Sequence, residues 1–247
     1  MAREFISGKN PVMEALRAGR DINKIWVNDR AKGSMQPLIR LAKREGIYVQ
    51  AVPKQKLDQL AEASNHQGVV ASVAAHRYAE MDELFQRAEA RGEEPFFVVL
   101  DEVEDPHNLG AILRTADAAG VHGVIIPKRR SPGLTSVVAK ASAGALEYVP
   151  VVRVTNLART MDELKKRGLW FAGTDADGKQ DYREADFDLA LGLVIGNEGK
   201  GISRLVKEKC DFLVQLPMSG HVSSLNASVA AALLMYEVYR KRTPRGV

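Results

Sequence analysis

Residues 95–127 read PFFVVLDEVEDPHNLGAILRTADAAGVHGVIIP. An unbroken apolar run, Phe96 to Leu100, stops at Asp101. Leu109 to Ala119 carries helical spacing, Gly120 follows it, and Gly123 to Pro127 is a second apolar run. Apolar runs of this length that do not alternate with polar residues belong to strands buried on both faces. A helix between two of them is a β-α-β unit, which makes the strands parallel. In the connecting stretch Asp105-Pro106 marks a turn, and Asn108 reads as the N-cap of the helix. That start places Arg114 in the second helical turn, a charge among Ala111, Ile112, Leu113 and Ala116.

The same alternation continues toward the C-terminus. Val149 to Val154 reads as a strand, Leu157 to Arg167 as a helix closed by Gly168, and Leu169 to Gly173 as a strand. Leu189 to Ile195 is a strand that enters a glycine-rich loop. Phe212 to Leu216 is a strand stopped by Pro217, and Ser224 to Arg242 is a long helix. A mostly parallel sheet with helices on both faces is expected over residues 95–247. Upstream, residues 1–75 alternate short apolar runs (Ile25 to Val27, Ile47 to Val49, Val69 to Ala71) with helical patterns over Met35 to Arg44 and Lys56 to Glu62. That is a small α/β domain. Residues 76–94 are polar and read as a connecting helix or linker.

The chain of 247 residues is 45% hydrophobic and 27% charged, an ordinary globular balance. No stretch approaches the roughly 18 apolar residues of a membrane span. The first residues, MAREFISGKNPVMEAL, lack the apolar core of a signal peptide. The single cysteine, Cys210, forms neither an internal disulfide nor a zinc cluster, so a cytoplasmic protein is expected. Charge is divided unevenly: +6 over residues 1–77 and −2 over the remainder. Either the front end binds a polyanion or it is a solvated basic face.

Ligands of open parallel sheets bind beyond the carboxyl ends of the strands. Three such loops carry functional residue types. The first runs from Asp101 to Ala116; read alone, its Arg114 is equally an ordinary surface arginine. The second, Ile195 to Gly201, has three glycines that let a ligand approach the backbone, and it also suits a tight turn. Its spacing excludes the dinucleotide fingerprint and the phosphate loop, which removes dehydrogenase and kinase readings. The third runs from Leu216 to Ala230, where Ser223 or Ser224 caps the last helix and Asn226 lies in its first turn.

Together, and in this order, the segments N-L-G-A-I-x-R-T-A (108–116), I-G-N-E-G-K-G (195–201) and L-P-M-S-G-x-V-S-S-L-N-A-S-V-A (216–230) resemble the three motifs of the SpoU/TrmH family of SPOUT methyltransferases. Lys140 to Glu147 is similar to the family as well. The front end, with GKNPVMEAL at 8–16, resembles the substrate-binding domain of the family's 23S rRNA guanosine 2′-O-methyltransferases, a domain similar to L30e-type RNA binders. The resemblance implies a parallel sheet with a C-terminal trefoil knot, a homodimer, and S-adenosylmethionine as methyl donor. It implies cofactor contacts at Thr174, Gly196, Leu216, Met218 and Leu225, where the leucines give the adenine an apolar bed. It implies catalytic positions at Asn108, Arg114, Glu198, Ser224 and Asn226. Arginine stays protonated, so Arg114 is expected to grip a phosphate and stabilise a developing alkoxide rather than act as base. Glu198 and Asn226 are expected to orient Arg114 or the nucleotide, with His107 and His221 dispensable. No metal is expected. Reaction at a 2′-hydroxyl makes RNA the substrate, with 23S rRNA favoured by the front domain and tRNA the alternative. Arg17, Arg20, Lys24, Arg40, Lys43 and Arg44 are the expected phosphate contacts. A non-catalytic RNA-binding assembly factor is the reading from another class.

Overall fold

The computed structural model describes residues 5–17, 19–31, 33–61, 66–73, 76–175, 178, 180–221 and 224–243. Glu62 and Ser223 lie outside the described residues. The chain forms two compact units, Met1–Arg77 with Gly133–Ser136, and Tyr78–Pro132 with Val137–Val247.

The first unit comprises β1 (Phe5–Ser7), α1 (Lys9–Arg17), β2 (Ile22–Asn28), α2 (Gln36–Arg44), β3 (Val49–Val52), α3 (Lys54–Ala61) and β4 (Val69–Val73). The strands lie in the order β1-β4-β2-β3; β2 and β3 are parallel and the other pairs antiparallel. Alternation along β2 sorts its side chains between the faces. Ile25 and Val27 pack with Val12, Leu16 and Leu38, while Trp26 packs beside Leu57 and Val70. The strand expected to begin at Ile47 begins at Val49, because the Ile47 amide closes α2 by donating to the Ala42 carbonyl at 2.8 Å.

The second unit comprises α4 (Met81–Arg91), β5 (Phe96–Leu100), α5 (Pro106–Ala118), β6 (Gly123–Pro127), α6 (Ser136–Ala141), β7 (Val151–Val154), α7 (Leu157–Lys165), β8 (Trp170–Thr174), β9 (Gln180–Asp181), β10 (Leu191–Ile195), α8 (Arg204–Lys207), β11 (Phe212–Gln215) and α9 (Ala227–Arg242). Its seven strands are all parallel, in the order β7-β6-β5-β10-β8-β11-β9. Leu84, Met161, Leu164 and Val206 of α4, α7 and α8 cover one face, against Phe97, Val99, Ile125, Val152 and Phe171. On the other face α5 and α9 pack against each other, α5 touching β6 and α9 touching β10. With both faces covered, all five residues of β5 and of β10 are buried. Both β10 and β11 are inserted between strands from earlier in the chain: β10 between β5 and β8, β11 between β8 and β9.

Helix α4 is closed by a capping box, the Glu80 amide donating to Glu83 Oε1 at 2.7 Å, and ends at Gly92 with φ +65°. Where it joins β5, buried His122 accepts from the Phe96 amide through Nδ1 (3.0 Å), which places its proton on Nε2, 2.9 Å from Glu93 Oε2. Arg242, in the last turn of α9, donates to the carbonyls of Leu189 (2.5 Å), Glu94 (2.8 Å) and Phe187 (3.2 Å).

Two helix starts differ from expectation. α5 begins at Pro106, because Asp105 caps it by accepting from the His107 amide at 2.9 Å; Asn108 is therefore a helical residue, not the cap. α9 begins at Ala227, capped by Asn226 rather than Ser224.

Candidate active site

Because every strand of the second sheet is parallel, every carboxyl end opens on one edge. The segments carrying Asn108, Glu198 and Asn226 meet there. Asn108, buried in the first turn of α5, donates through Nδ2 to Glu198 Oε1 at 2.5 Å. Asn226 Nδ2 donates to Asn108 Oδ1 at 3.0 Å and to Glu198 Oε1 at 3.4 Å. The Ala227 amide reaches the same Glu198 oxygen at 3.3 Å. Asn226 works from both ends, since its Oδ1 accepts from the Ser228 amide (2.9 Å), the Ser228 hydroxyl (2.6 Å) and the Val229 amide (3.4 Å). One carboxylate oxygen thus collects three N–H donors at the positive end of a helix 16 residues long, where a negative charge is favoured. Among the described residues the other oxygen of Glu198 makes no hydrogen bond, so it is left to accept one.

The glycine loop is folded onto itself. Asn197 and Gly201 exchange backbone hydrogen bonds (3.1 and 2.8 Å), with Gly201 at φ +68°. A β-carbon on Gly196 would lie 2.3 Å from the Gly201 carbonyl carbon, so the close approach that Gly196 permits is to the chain's own backbone. The loop is also tied to the end of β5. Asn197 Nδ2 donates to the Glu102 carbonyl at 3.2 Å, and the Ser203 amide donates to buried Asp101 Oδ2 at 2.7 Å.

Thr174, Gly196 and Leu216 lie at the carboxyl ends of β8, β10 and β11, three strands adjacent in the sheet. The Thr174 hydroxyl donates to the Val194 carbonyl at 3.2 Å. Leu216 and Leu225 are half-buried, while Met218 and Ser224 are exposed. His107 and His221 are exposed too.

Arg114 stands apart from the cluster. It is exposed and, among the described residues, makes no hydrogen bond or ion pair. Six residues along a helix advance about 9 Å and about one and two-thirds turns from Asn108, so the two side chains leave α5 on different sides. Of the two partners expected for Glu198 and Asn226, Arg114 or the nucleotide, Arg114 is not reached within this chain, where they hold Asn108 and the start of α9.

A cavity of about 230 Å³ opens on the same edge, lined at the ends of β5, β6 and β7 by Asp101, Arg129, Arg130 and Asn156 and closed by Ser203 and Leu205. None of the ten sequence-predicted residues lines it. Its one signal in the sequence is the basic run Lys128-Arg129-Arg130 directly after β6. Among the described residues no group of three or more His, Cys, Asp or Glu is placed to hold a metal ion, and no helix is long and apolar enough to cross a membrane.

Residues 95–236 match the family model described as the SpoU rRNA Methylase family. The chain belongs to the SpoU rRNA methylase family. All ten predicted site residues fall inside that match, and residues 5–79 match a second model, RNA 2′-O ribose methyltransferase substrate binding. The SpoU assignment makes the chain an RNA methyltransferase. A Bacillus subtilis protein assigned to the TrmH family of tRNA/rRNA methyltransferases is 60% identical over 98% of both chains. Among solved structures, the SpoU methyltransferase AviRb of Streptomyces viridochromogenes, crystallised with AdoMet, is 29% identical with a TM-score of 0.62, over 96% of this chain and 90% of that one. The TrmH/SpoU tRNA modifying enzyme of A. aeolicus is 30% identical with a TM-score of 0.55, and covers 64% of this chain and 84% of its own.

Proposed function

We propose that this SpoU methyltransferase transfers the methyl group of S-adenosylmethionine to the ribose 2′-hydroxyl of a guanosine in 23S rRNA, in the cytoplasm, as a homodimer with a C-terminal trefoil knot. The observation that carries the reading is the Asn108–Glu198–Asn226 cluster, which joins three separate motif segments at the carboxyl edge of the sheet.

The ends of β8, β10 and β11 suit the cofactor. Half-buried Leu216 and Leu225 offer apolar surface to an adenine, next to backbone at Thr174, Gly196 and Met218. When bound, S-adenosylmethionine supplies an electrophilic methyl group on a sulfonium. The protein's own task is to place the hydroxyl in line and manage one proton. The exposed Arg114 offers its N–H groups to a phosphate beside the target ribose and stabilises the alkoxide as it develops. The free oxygen of Glu198 accepts from the nucleotide, and Asn108 and Asn226 hold that carboxylate still; Ser224 is assigned a place beside them.

A front domain over residues 1–75 serves RNA recognition. It favours rRNA over tRNA, because the tRNA modifying relative leaves about a third of this chain unmatched whereas an rRNA methyltransferase of Sinorhizobium meliloti covers 96% of it. The homodimer is supported by α9, where Val229, Leu233 and Tyr236 are exposed at spacings of four and three, a stripe along one side of the helix.

The test is incubation with rRNA from a strain lacking the modification and labelled S-adenosylmethionine, with ribose methylation mapped by position. A single modified 23S guanosine, absent with Arg114→Ala, is expected. Methylation of tRNA alone would overturn the substrate, and no transfer to any RNA would overturn the activity.

A further inference from the structure

The methyl-transfer reading leaves the cavity at the ends of β5, β6 and β7 unused. One of its walls is apolar, formed by Leu157, Leu205 and Val206; Leu205 is 60% exposed. Asn156 and Ser203 offer hydrogen-bonding groups, and Arg129 and Arg130 are cationic. Two lining residues, Glu102 (φ +58°) and Arg130 (φ +56°), hold left-handed backbone conformations although they carry side chains, and Arg130 Nη1 is ion-paired to Glu102 Oε1. Such conformations are costly for residues with a β-carbon and persist where the surroundings fix them, as they do around binding sites. The Arg130 side chain is 66% exposed, so the guanidinium keeps donors facing solvent.

The cavity is open to solvent, so its size tells which part of a larger ligand it can take up. About 230 Å³ is below the ~300–1,000 Å³ of cavities that enclose drug-sized molecules, which suits a single base better than a whole S-adenosylmethionine. An apolar wall for a ring face, polar groups for its edge and arginines for a phosphate are the donors an unpaired nucleotide requires. Position matters as well. Ser203 closes the cavity at the end of the loop that carries Glu198, and Asn197 of that loop is bonded to the Glu102 backbone.

We propose that this cavity is a subsite for one unpaired RNA nucleotide close to the methylated ribose, the base lying against Leu157 and Leu205 and the phosphate against Arg129 and Arg130. The proposal rests on RNA being the substrate. Occupancy would brace the loop that presents Glu198, coupling recognition of a neighbouring nucleotide to the active site.

The test is a titration of the isotope-labelled full chain with guanosine and uridine 5′-monophosphates, and separately with inorganic phosphate, followed by backbone amide shifts. Mononucleotides are expected to shift the amides of residues 156–159 and 203–206, with the response abolished by Ala158→Phe, which puts a ring at a residue lining the cavity, and weakened by Arg130→Ala. In turnover assays Ala158→Phe should raise the KM for RNA about tenfold and leave that for S-adenosylmethionine unchanged. Phosphate alone acting as strongly as the nucleotides would overturn the base pocket. Unshifted amides in a chain that does methylate RNA would overturn the whole proposal. Shifts at these amides in a chain that methylates no RNA would support the nucleotide site while defeating the substrate reading.

Discussion

At the scale of single residues, Asn226 does two jobs that substitutions can separate. Aspartate caps a helix as well as asparagine does, so Asn226→Asp should leave the capped start of α9 intact. It loses the Nδ2 donor and sets a second carboxylate beside Glu198, so the methyl-transfer rate should fall at least about tenfold. Asn226→Ala removes the cap too, and should cost about 1 kcal/mol in denaturant unfolding on top of the lost rate. At Arg114, replacement by lysine keeps the charge but not the planar fork, so single-turnover rates should drop markedly; near-normal turnover would sink the bidentate role. The motif residues themselves were legible in the sequence, since polar side chains at strand ends are visible in any apolar pattern. Their division of labour was not. Asn108 and Ser224 each offer a cap because capping potential is common to Ser, Thr, Asn and Asp, and only the path of the backbone decides that Asp105 and Asn226 do it.

At the scale of elements, the strands were readable because a continuous apolar run has few other fates. Their ends moved by a few residues where a helix-closing hydrogen bond, such as that of the Ile47 amide, took a residue the pattern had assigned to a strand. Helix contacts leave no such trace, and Gly110 shows why. A β-carbon there would stand 2.4 Å from Ala141 Cβ, so α5 meets the end of α6 through that hydrogen atom. Gly110→Ala should therefore destabilise the second unit by about 1–3 kcal/mol in urea unfolding, with Ala141→Gly restoring part of the loss. Where α4 joins β5, burial holds the His122 pKa below its usual 6.5, with Glu93 pulling the other way. The neutral ring accepts from the Phe96 amide, a bond that protonation abolishes. A lowered folded-state pKa means that the stability it contributes is complete above about pH 6.5 and is lost as pH falls toward the lowered value. Urea midpoints compared between about pH 8 and about pH 5 should fall more steeply in the wild type than in His122→Asn.

At the scale of the whole molecule, the sheet order was beyond the reach of sequence patterns. Periodicity says which face of a strand is buried and is silent on its neighbours, so β10 lying between β5 and β8 could be learned only from coordinates. The cavity is hidden for the same reason, since its walls come from four separated segments. The homodimer proposed through the exposed stripe on α9 predicts that Leu233→Asp shifts the protein from dimer to monomer in light scattering; an unchanged dimer would place the contact elsewhere, and a monomeric wild type would overturn the dimer. The inserted strand also sets a timetable for synthesis. All four strands of the front sheet have been made by Val73, whereas β5 must wait for Leu191–Ile195, almost a hundred residues later, to gain its second neighbour. Until then a growing chain on the ribosome carries an open, wholly apolar strand edge of the kind that recruits other chains. The nascent enzyme should thus be most prone to aggregation when translation stalls between β8 and β10.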